Sequence, residues 1–356
     1  MSIAEAAAKG VQRAWYGGSQ LARIAWYTGH YVAGRRAMGS LTVPGAAPPA
    51  EKFTGFDRGR LRAAFRDLFR NDWRNIEAGL YKMPLELRRP PSLGKLARQS
   101  RDYFQDAAAI ARRRNDNGHS EVMSEALSEK YPRYFLQNFH FQSDGWLSAA
   151  SADRYGMQVE TLFTGAGAAM RRQALPLIGR AIGARDSAAL HYLDIACGDG
   201  SFAESVLDNW PGLRATALDL SPAYLGKARL NLSAYRQVRF IEARAEATGL
   251  PDASFDIITA VYLFHELPPK IRLEAAAEIA RLLKPGGEFI LVDTIQYGDE
   301  PGFDPLLEAF PRGFHEPYYD SYCRLDLSAH FAAASLKKGE ERIAFLTKAT
   351  AFRKPD

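Results

Sequence analysis

From residue 191 onward the chain alternates short apolar runs with helical segments, and this alternation constrains the fold more than any other feature. Such runs, separated by helices, are typical of βαβ units, which build a parallel, doubly wound sheet. Ligands of such sheets bind beyond the carboxyl ends of the strands. We therefore predict an α/β fold whose functional site follows these runs. The runs are residues 191–196, 214–220, 237–243, 255–262 and 288–293.

The turn after the first run allows a ligand to approach the backbone closely. Gly198 and Gly200 permit a tight turn, and a helix N-terminus follows it. The spacing also matches a dinucleotide fingerprint, because Asp219 lies 19 residues past Gly200. However, Asp194 and Asp199 place negative charge where a pyrophosphate would lie, and the repulsion disfavours a dinucleotide. The turn instead favours a ligand that is positively charged at this end.

S-adenosylmethionine fits this charge pattern, because it carries a sulfonium and an ammonium group against one carboxylate. Residues 194–200 resemble the first motif of class I S-adenosylmethionine-dependent methyltransferases, Asp/Glu-x-Gly/Ala-x-Gly-x-Gly, with Ala196 in the first small position. The resemblance covers roughly residues 185–295, with a looser fit to 355, and is nearest to the small-molecule methyltransferases of ubiquinone and menaquinone biosynthesis. Later segments similar to this family follow in the expected order: 217–222, 245–256, 261–268 and 282–293.

The resemblance implies a doubly wound, mostly parallel seven-stranded sheet of the Rossmann-like methyltransferase type, preceded by a helical N-terminal lid. It also implies that S-adenosylmethionine is the cofactor, with Asp194 and Gly198 holding its methionine part and Asp219 its ribose. The family often has an acid near the adenine where this chain has Arg244. The residues expected to bind the cofactor are Asp194, Ala196, Gly198, Gly200, Asp219, Leu220, Ala245, Glu246, Tyr262 and Tyr155.

His265 and His315 are the candidate catalytic residues. His265 follows the fourth run, where an imidazole can accept a proton from an acceptor hydroxyl or an acidic carbon. Alternatively, this segment is only a wall of the pocket and Glu266 begins a helix; Asp293, at the end of the fifth run, has the same two interpretations. His315 belongs to an aromatic stretch that the resemblance places over the cofactor's methyl group.

Mixed aromatic and polar residues before the first run and around His315 are candidates for binding the methyl acceptor. Packing within an aromatic core is the alternative for each of them. We expect no metal site, because the seven histidines are scattered and Cys197 and Cys323 are the two cysteines of the chain. The candidate acceptor-binding residues are His140, Trp146, Tyr318 and Tyr319.

The N-terminal half differs from the rest in charge and in pattern. Residues 1–150 carry 23 Lys and Arg against 14 Asp and Glu, a balance of +9, whereas residues 151–356 carry 23 against 27, a balance of −4. Apolar residues at helical spacing predict an amphipathic helix over 61–76 with a basic outer side, and a second helix over 101–114. A segment rich in Pro and Gly at 43–49 predicts a linker. The predicted domains are residues 1–50, an N-terminal arm and linker; 51–185, a helical lid; and 186–356, the cofactor-binding domain.

The arm over residues 11–36 is amphipathic, with Val11, Trp15 and Trp26 on one side of a helical wheel and arginines and tyrosines on the other. This composition suits a membrane interface, and packing on the protein's own body or on a second subunit, as in a homodimer, explains it equally. No apolar window of about 18 residues is free of charge, and the start lacks a signal-peptide pattern. We expect a cytoplasmic protein, with peripheral membrane contact through the arm as an alternative.

A composition of 47% hydrophobic and 24% charged residues excludes a wholly disordered chain. We expect methyl transfer from S-adenosylmethionine to a small or lipid-like acceptor. One alternative is a nucleic-acid methyltransferase that binds its substrate through the basic N-terminal half. Nucleic acid is not the expected partner, because residues 264–267 lack the Asn/Asp-Pro-Pro-Tyr/Phe tetrapeptide of base methylation. The other alternative is a scaffold subunit that binds the cofactor without catalysis.

Overall fold

The computed structural model of the protein describes residues 3–39, 55–116, 122, 124–141 and 143–356, so the predicted linker at 43–49 lies outside the described residues. Within the described ranges, no helix is both long and apolar enough to cross a membrane. The helices are α1 (Ile3–Gly39), α2 (Arg58–Glu77), α3 (Leu85–Arg88), α4 (Leu93–Asp116), α5 (Glu125–Lys130), α6 (Ala149–Leu162), α7 (Gly167–Arg172), α8 (Leu175–Ile182), α9 (Ser201–Asn209), α10 (Pro222–Asn231), α11 (Pro269–Leu282), α12 (Asp304–Gly313), α13 (Tyr319–Cys323) and α14 (Leu327–Ala332). The strands are β1 (His191–Ile195), β2 (Arg214–Asp219), β3 (Arg239–Glu242), β4 (Phe255–Val261), β5 (Leu283–Thr294), β6 (Lys337–Ala344) and β7 (Thr347–Arg353).

The strands form one seven-stranded sheet in the order β3-β2-β1-β4-β5-β7-β6. The first five strands pair in parallel, and β7 and β6 are antiparallel additions at one edge. The predicted α/β fold with a mostly parallel seven-stranded sheet is therefore confirmed, and each of the five predicted runs contains or overlaps a strand. The sheet order changes direction beside β1, so the carboxyl ends of β1, β2 and β4 open together at one edge, where doubly wound folds bind ligands.

Both faces of the sheet are buried, because helices cover each of them. Ile258, Phe289 and Leu291 belong to one apolar core, whereas Ile257 and Ile290 belong to the other. Neighbouring residues of one strand thus point into opposite cores, as the pleat of a strand requires. This arrangement explains why the strands read as near-continuous apolar runs rather than as alternating patterns.

The segment before β1 is helical, as predicted, and α2 exposes its arginines to solvent. Its inner side contains the fully buried Asp72, whose carboxylate accepts from Tyr16, Tyr81 and Arg172 at 2.6, 2.6 and 2.7 Å. Arg172 is 3% exposed and also contacts Glu86. This network joins α1, α2 and α7 around one buried charge pair.

Helix α1 is continuous despite its six glycines, and it packs against α2, α4 and α6. Its inner side is the polar side of the helical wheel, whereas Val11 and Trp15 on the apolar side are 71% and 43% exposed. Tyr16 donates to Asp72, Arg23 donates to Glu160 at 3.2 Å, and a ring nitrogen of His30 lies 2.9 Å from Ser100 Oγ. The polar side therefore packs inward because its hydrogen-bonding groups find partners there.

Candidate active site

The turn after β1 lies at the opening of the parallel sheet and has the geometry that its glycines predict. Ala196, Gly198 and Gly200 have φ values of 54°, 56° and 78°. A Cβ on Gly200 would meet Leu232 and Ala228 at 3.0 and 3.2 Å, so this position requires glycine for close packing as well as for its φ. Gly200 also precedes α9, so the N-terminal amides of that helix lie next to the turn.

Asp219 ends β2 and supports the turn from the neighbouring strand. Its Oδ2 atom accepts from the backbone N–H of Gly198 at 2.8 Å, and its Oδ1 atom accepts from that of Ser221 at 2.8 Å. Each carboxylate oxygen retains a further lone pair for a ligand hydroxyl. Burial raises the pKa of Asp219 to about 6, although the backbone hydrogen bonds oppose this shift.

Asp194 lies under the turn, 1% exposed, rather than in the cavity lining. Its Oδ1 atom accepts from the Thr259 hydroxyl at 2.6 Å, whereas its Oδ2 atom is buried with no hydrogen-bond partner among the described residues. Burial raises the pKa of Asp194 to about 7. A buried carboxylate with an unpaired oxygen is stabilised by a cation above it, so this residue fits a ligand with positive charge.

A cavity opens above the turn and brings together most of the predicted cofactor-binding residues. The predicted residues in its lining are Ala196, Gly198, Asp219, Leu220, Ala245, Tyr262, Tyr155 and Trp146. The lining also contains residues that were not predicted. Some come from the helical domain, and others belong to the family-like segments, where the sequence does not show which side chains face the cavity. These are Tyr134, Phe135, Phe139, Tyr224 and Ala243, together with the apolar Leu218, Val261, Leu263 and Leu267. The lining is therefore apolar and aromatic, with Asp219 and Glu266 as its acidic members.

Three aromatic rings join the helical domain to the cofactor side of the cavity. Trp146 lies 5.7 Å from Tyr155 and 5.5 Å from Tyr224, and Tyr155 lies 5.6 Å from Tyr224, all edge to face. The hydroxyl of Ser221 donates to the carbonyl of Trp146. Trp146, expected on the acceptor side, thus lies within the cavity beside the α10 N-terminus, next to Tyr155.

Glu246 lies behind the cavity lining, and its carboxylate accepts from the hydroxyl of Tyr134 at 2.8 and 2.9 Å. Tyr134 itself lines the cavity next to Ala245. The Tyr134 ring, which carries no family motif, therefore adds an aromatic surface where the adenine contact is expected. Arg244 and Glu246 lie 4.0 Å apart.

His265 and Asp293 form a buried pair where β4 and β5 end. His265 Nδ1 lies 2.5 Å from Asp293 Oδ1, and His265 is 7% exposed. The same carboxylate accepts from the backbone N–H groups of Phe264 at 2.9 Å and Thr294 at 2.7 Å. Burial by itself would lower the pKa of His265, but Asp293 outweighs burial and raises it to about 9. With Nδ1 held by Asp293, Nε2 is the nitrogen that can exchange a proton with a substrate.

Two further residues position this pair. Arg272 is 1% exposed and donates to the carbonyls of Phe264 and Tyr318 at 2.7 and 2.6 Å. It therefore ties the segment that carries His265 to the start of α13. Tyr319, predicted to bind the acceptor, is 4% exposed; its hydroxyl lies 2.9 Å from Thr294 Oγ1 and its ring 5.7 Å from that of His265.

His140, Glu266 and Glu316 meet beside this pair, and one ligand atom of each lies within 4.8 Å of the others. His140 Nε2 is 3.0 Å from Glu316 Oε1, and the carboxylate of Glu316 is fully buried. Burial, reinforced by His265 and His315, lowers the pKa of His140 to about 3, so its imidazole is neutral. Burial raises the pKa of Glu316 to about 7 and that of Glu266 well above its usual value. The three donors are able to surround a metal ion or to share a proton, a juxtaposition that the sequence spacing did not reveal.

His315 and Tyr318 lie further from the cavity, and both contact Gln137. His315 Nε2 is 2.7 Å from Gln137 Oε1, and Gln137 Nε2 donates to the Tyr318 hydroxyl at 3.2 Å. The His315 ring lies 6.3 Å from that of Phe139, which is a cavity-lining residue. These two predicted residues therefore connect the helical domain with the segment around α13, outside the cavity lining.

Comparison with known proteins agrees with this geometry. Residues 193–287 match the family model of a methyltransferase domain. A demethylmenaquinone methyltransferase of Thermus thermophilus is 32% identical over 143 residues, which cover 40% of this chain and 61% of that protein. A ubiquinone/menaquinone biosynthesis C-methyltransferase of Methylobacterium nodulans is 35% identical over 122 residues, which cover 33% of this chain and 47% of that protein. The chain thus spans about half the length of these curated relatives. Among solved structures, the CurJ carbon methyltransferase has a TM-score of 0.46 and 14% identity, covering 97% of this chain and 94% of that chain.

The sheet order, the glycine turn with its buried carboxylates and the family match over residues 193–287 together identify this part of the chain as a class I S-adenosylmethionine-dependent methyltransferase domain. Within the class, its similarity is to methyltransferases of menaquinone and ubiquinone biosynthesis. S-adenosylmethionine is the cofactor, and the unpaired Oδ2 atom of Asp194 beneath the turn fits its positive charge. Asp219 and Gly198 both line the cavity above the turn.

Proposed function

We propose that this protein methylates a weakly acidic O–H or C–H group of a small, aromatic or quinol-like acceptor, with His265 as the general base. The observation that carries the proposal is the buried pair of His265 and Asp293, whose Nδ1 and Oδ1 atoms lie 2.5 Å apart. This pair lies next to the cavity, since Tyr262 and Glu266 line the cavity on either side of His265 in the chain. An amine acceptor, which is nucleophilic without losing a proton first, would not require such a pair.

Bound S-adenosylmethionine supplies a methyl group on a positively charged sulfur, which is already activated for in-line displacement. The chain therefore has two tasks, to align the acceptor atom and to remove its proton. Alignment of this kind contributes about 7–11 kcal/mol at best. Proton removal by a positioned base adds about 10²–10⁴-fold.

His265 is suited to the second task because its orientation is fixed. Asp293 accepts from Nδ1 and also from the backbone N–H groups of Phe264 and Thr294, so the carboxylate cannot turn away from the ring. Nε2 is then the basic nitrogen, and the imidazolium formed after proton transfer is stabilised by the adjacent carboxylate. In this scheme Arg272 and Tyr319 are positioning residues that hold the His265 segment.

The chemistry of the base points to a class of acceptor. With the pKa of His265 raised to about 9, the base is strong enough for hydroxyls whose own pKa is about 10, the ordinary value for a phenol. Proton transfer is nearly balanced when the two pKa values are close. Phenols, quinols and 1,3-dicarbonyl carbons meet this condition, whereas aliphatic alcohols do not.

The surroundings of the pair fit a planar, apolar acceptor. Phe310 lies 4.7 Å from Phe314 and 4.9 Å from Tyr319, and His140 contacts Phe314 at 5.8 Å, measured between ring centroids. Rings arranged in this way favour stacking with another aromatic ring. Two relatives, a demethylmenaquinone methyltransferase and a ubiquinone/menaquinone biosynthesis C-methyltransferase, support the same class of acceptor.

Methyl-labelled cofactor tests the proposal with purified protein and four acceptor sets: demethylated quinols, 1,3-dicarbonyl compounds, small amines and total RNA. We expect label in the first or the second set. His265→Gln should lower kcat/KM by about 10²–10⁴-fold without changing the affinity for S-adenosylmethionine in calorimetry. His191→Gln is the matched control, because His191 begins β1 and so lies at the amino end of that strand, away from the carboxyl ends where the cavity opens.

Other outcomes would overturn parts of the proposal. Label confined to RNA or to amines would reject the acceptor class. Equal turnover in His265→Gln and in the wild type would reject the assigned base. Tight cofactor binding without turnover of any acceptor, in extracts as well as with pure compounds, would favour a scaffold subunit.

A further inference from the structure

The outward side of α1 is apolar and exposed to solvent, and we call it the outer face of α1. Its large residues are Val11, Trp15, Leu21 and Val32, which are 71%, 43%, 68% and 42% exposed. A Cβ added to Gly18 or Gly29 would meet nothing within 4 Å, so the face is open along its length. The small residues that complete the outer face, all of them exposed, are Ala14, Gly18, Ala22, Ala25 and Gly29.

This distribution is the reverse of what a surface helix of a soluble domain normally shows, with its apolar side inward and its polar side outward. In α1 the inward side contains Tyr16, Arg23 and His30, each hydrogen-bonded to the body of the protein. The outer face is therefore not needed for the packing of α1. Contiguous exposed apolar surface of this kind marks a contact with another partner.

Charge indicates the chemistry of that partner. Lys9, Arg13, Arg35 and Arg36 are exposed near the two ends of the outer face. Residues 6–39 contain no Asp or Glu. The packed neighbour α2 exposes further arginines to solvent. An apolar helix face bordered by cations and free of acids complements a surface of anionic lipid headgroups.

We propose that the outer face of α1 docks on an anionic lipid bilayer and lies in the plane of its interface. The 37-residue helix is about 55 Å long, from 1.5 Å per residue, so it would lie along the surface rather than cross it. Trp15 and Leu21 then enter the boundary between headgroups and acyl chains, and the basic residues contact the phosphates. A second copy of this chain fits less well, because pairing two outer faces would bring arginines together without acidic partners.

Vesicle sedimentation with the full-length protein tests this proposal. We expect binding to vesicles of phosphatidylglycerol and phosphatidylcholine, and at least about tenfold weaker binding to phosphatidylcholine alone, because each basic residue near an anionic surface contributes about fivefold. The double variant Trp15→Glu/Leu21→Glu should lose binding to both. Leu230→Glu is the matched control, since Leu230 is 71% exposed on α10, away from α1, and should bind like the wild type.

Circular dichroism and the thermal midpoint show whether the double variant is folded, and quenching by brominated lipid gives a second readout. Quenching of tryptophan fluorescence should fall in Trp15→Phe, which keeps an apolar ring at this position. The proposal is overturned if folded wild-type protein fails to bind the anionic vesicles, or if Leu230→Glu and the double variant lose binding equally. It is also overturned if the protein is a dimer that Trp15→Glu/Leu21→Glu dissociates, since a second copy would then cover the face. Methyl transfer to a water-soluble acceptor is measured separately, so failure here leaves the proposed function untouched.

Discussion

Replacing Asp293 by Asn tests the proposed base most directly, because it removes one charge and keeps the shape of the side chain. Asp293 raises the pKa of His265 to about 9, against an ordinary value of about 6.5. This difference corresponds to about 3 kcal/mol of stabilisation of the imidazolium. Asn also has one acceptor oxygen instead of two, so it cannot accept from the imidazole and from the backbone N–H groups of both Phe264 and Thr294, as the carboxylate does with its two oxygens.

The expected result is a change in the pH profile of kcat/KM. With a pKa of about 9, roughly one His265 side chain in a hundred is neutral at pH 7, so wild-type kcat/KM should rise about tenfold per pH unit until pH about 9. In Asp293→Asn the rise should end at a lower pH than in the wild type, because the burial that lowers the pKa of His265 is no longer opposed by Asp293. The plateau should lie about 10²–10⁴-fold lower because the base is weaker and poorly oriented.

The assay is transfer of labelled methyl between pH 6 and 10, with calorimetric cofactor affinity as the control for the fold of the site. In a His265→Gln background, Asp293→Asn should have little further effect, because the two residues act as one unit. An unchanged pH profile in Asp293→Asn, or full additivity of the two substitutions, would refute the reasoning.

Four further predictions concern the cofactor site, metal dependence and the buried network of the helical domain. Asp219→Asn should weaken S-adenosylmethionine binding at least tenfold in calorimetry, since it removes the charge and one acceptor beside Gly198; unchanged affinity would reject the assignment. Cofactor affinity of the wild type should fall as the pH drops below about 6, because the raised pKa values of Asp194 and Asp219, about 7 and about 6, mean that both lose their negative charge there; a flat calorimetric profile from pH 5 to 8 would contradict this. Arg172→Met should lower the free energy of unfolding in urea by about 3–5 kcal/mol, because it leaves the charge of Asp72 buried and unpaired; a loss under about 1 kcal/mol would show that the pair contributes little net stability. Turnover should survive prolonged treatment with EDTA, as the expectation of no metal site requires, and loss of activity that Mn²⁺ or Mg²⁺ restores would instead assign an ion to the donors of His140, Glu266 and Glu316.

The core of the fold follows from the sequence because parallel strands buried on both faces leave an unmistakable apolar pattern. All five predicted strands are present. Strands β6 and β7 were not predicted. Strand β6, Lys337–Ala344, is an edge strand whose many charged residues give no apolar run. Strand β7 pairs antiparallel and follows it after a short turn.

Part of the cavity lining was also predictable, because Ala196, Gly198, Asp219 and Leu220 stand in local motifs and at strand ends. The aromatic lining was not, since Tyr134, Phe139 and Tyr224 come from three segments that meet only in the folded chain. Likewise, the contact of His140 with Glu316 depends on how the helical domain meets the segment before α13. The sequence left the orientation of α1 open, because a helical wheel records polarity and does not show that Tyr16 has a buried carboxylate to pair with.

The aromatic junction of Trp146, Tyr155 and Tyr224 has a consequence for how the enzyme can be divided. The stretch with the family's motifs begins at β1, yet Trp146 and Tyr155 belong to the region before it. A fragment starting at β1 would therefore keep the lining residues Gly198 and Asp219 and lose Trp146 and Tyr155. A truncated protein that contains only the part with the family's motifs would therefore lack some of the residues that line the cavity.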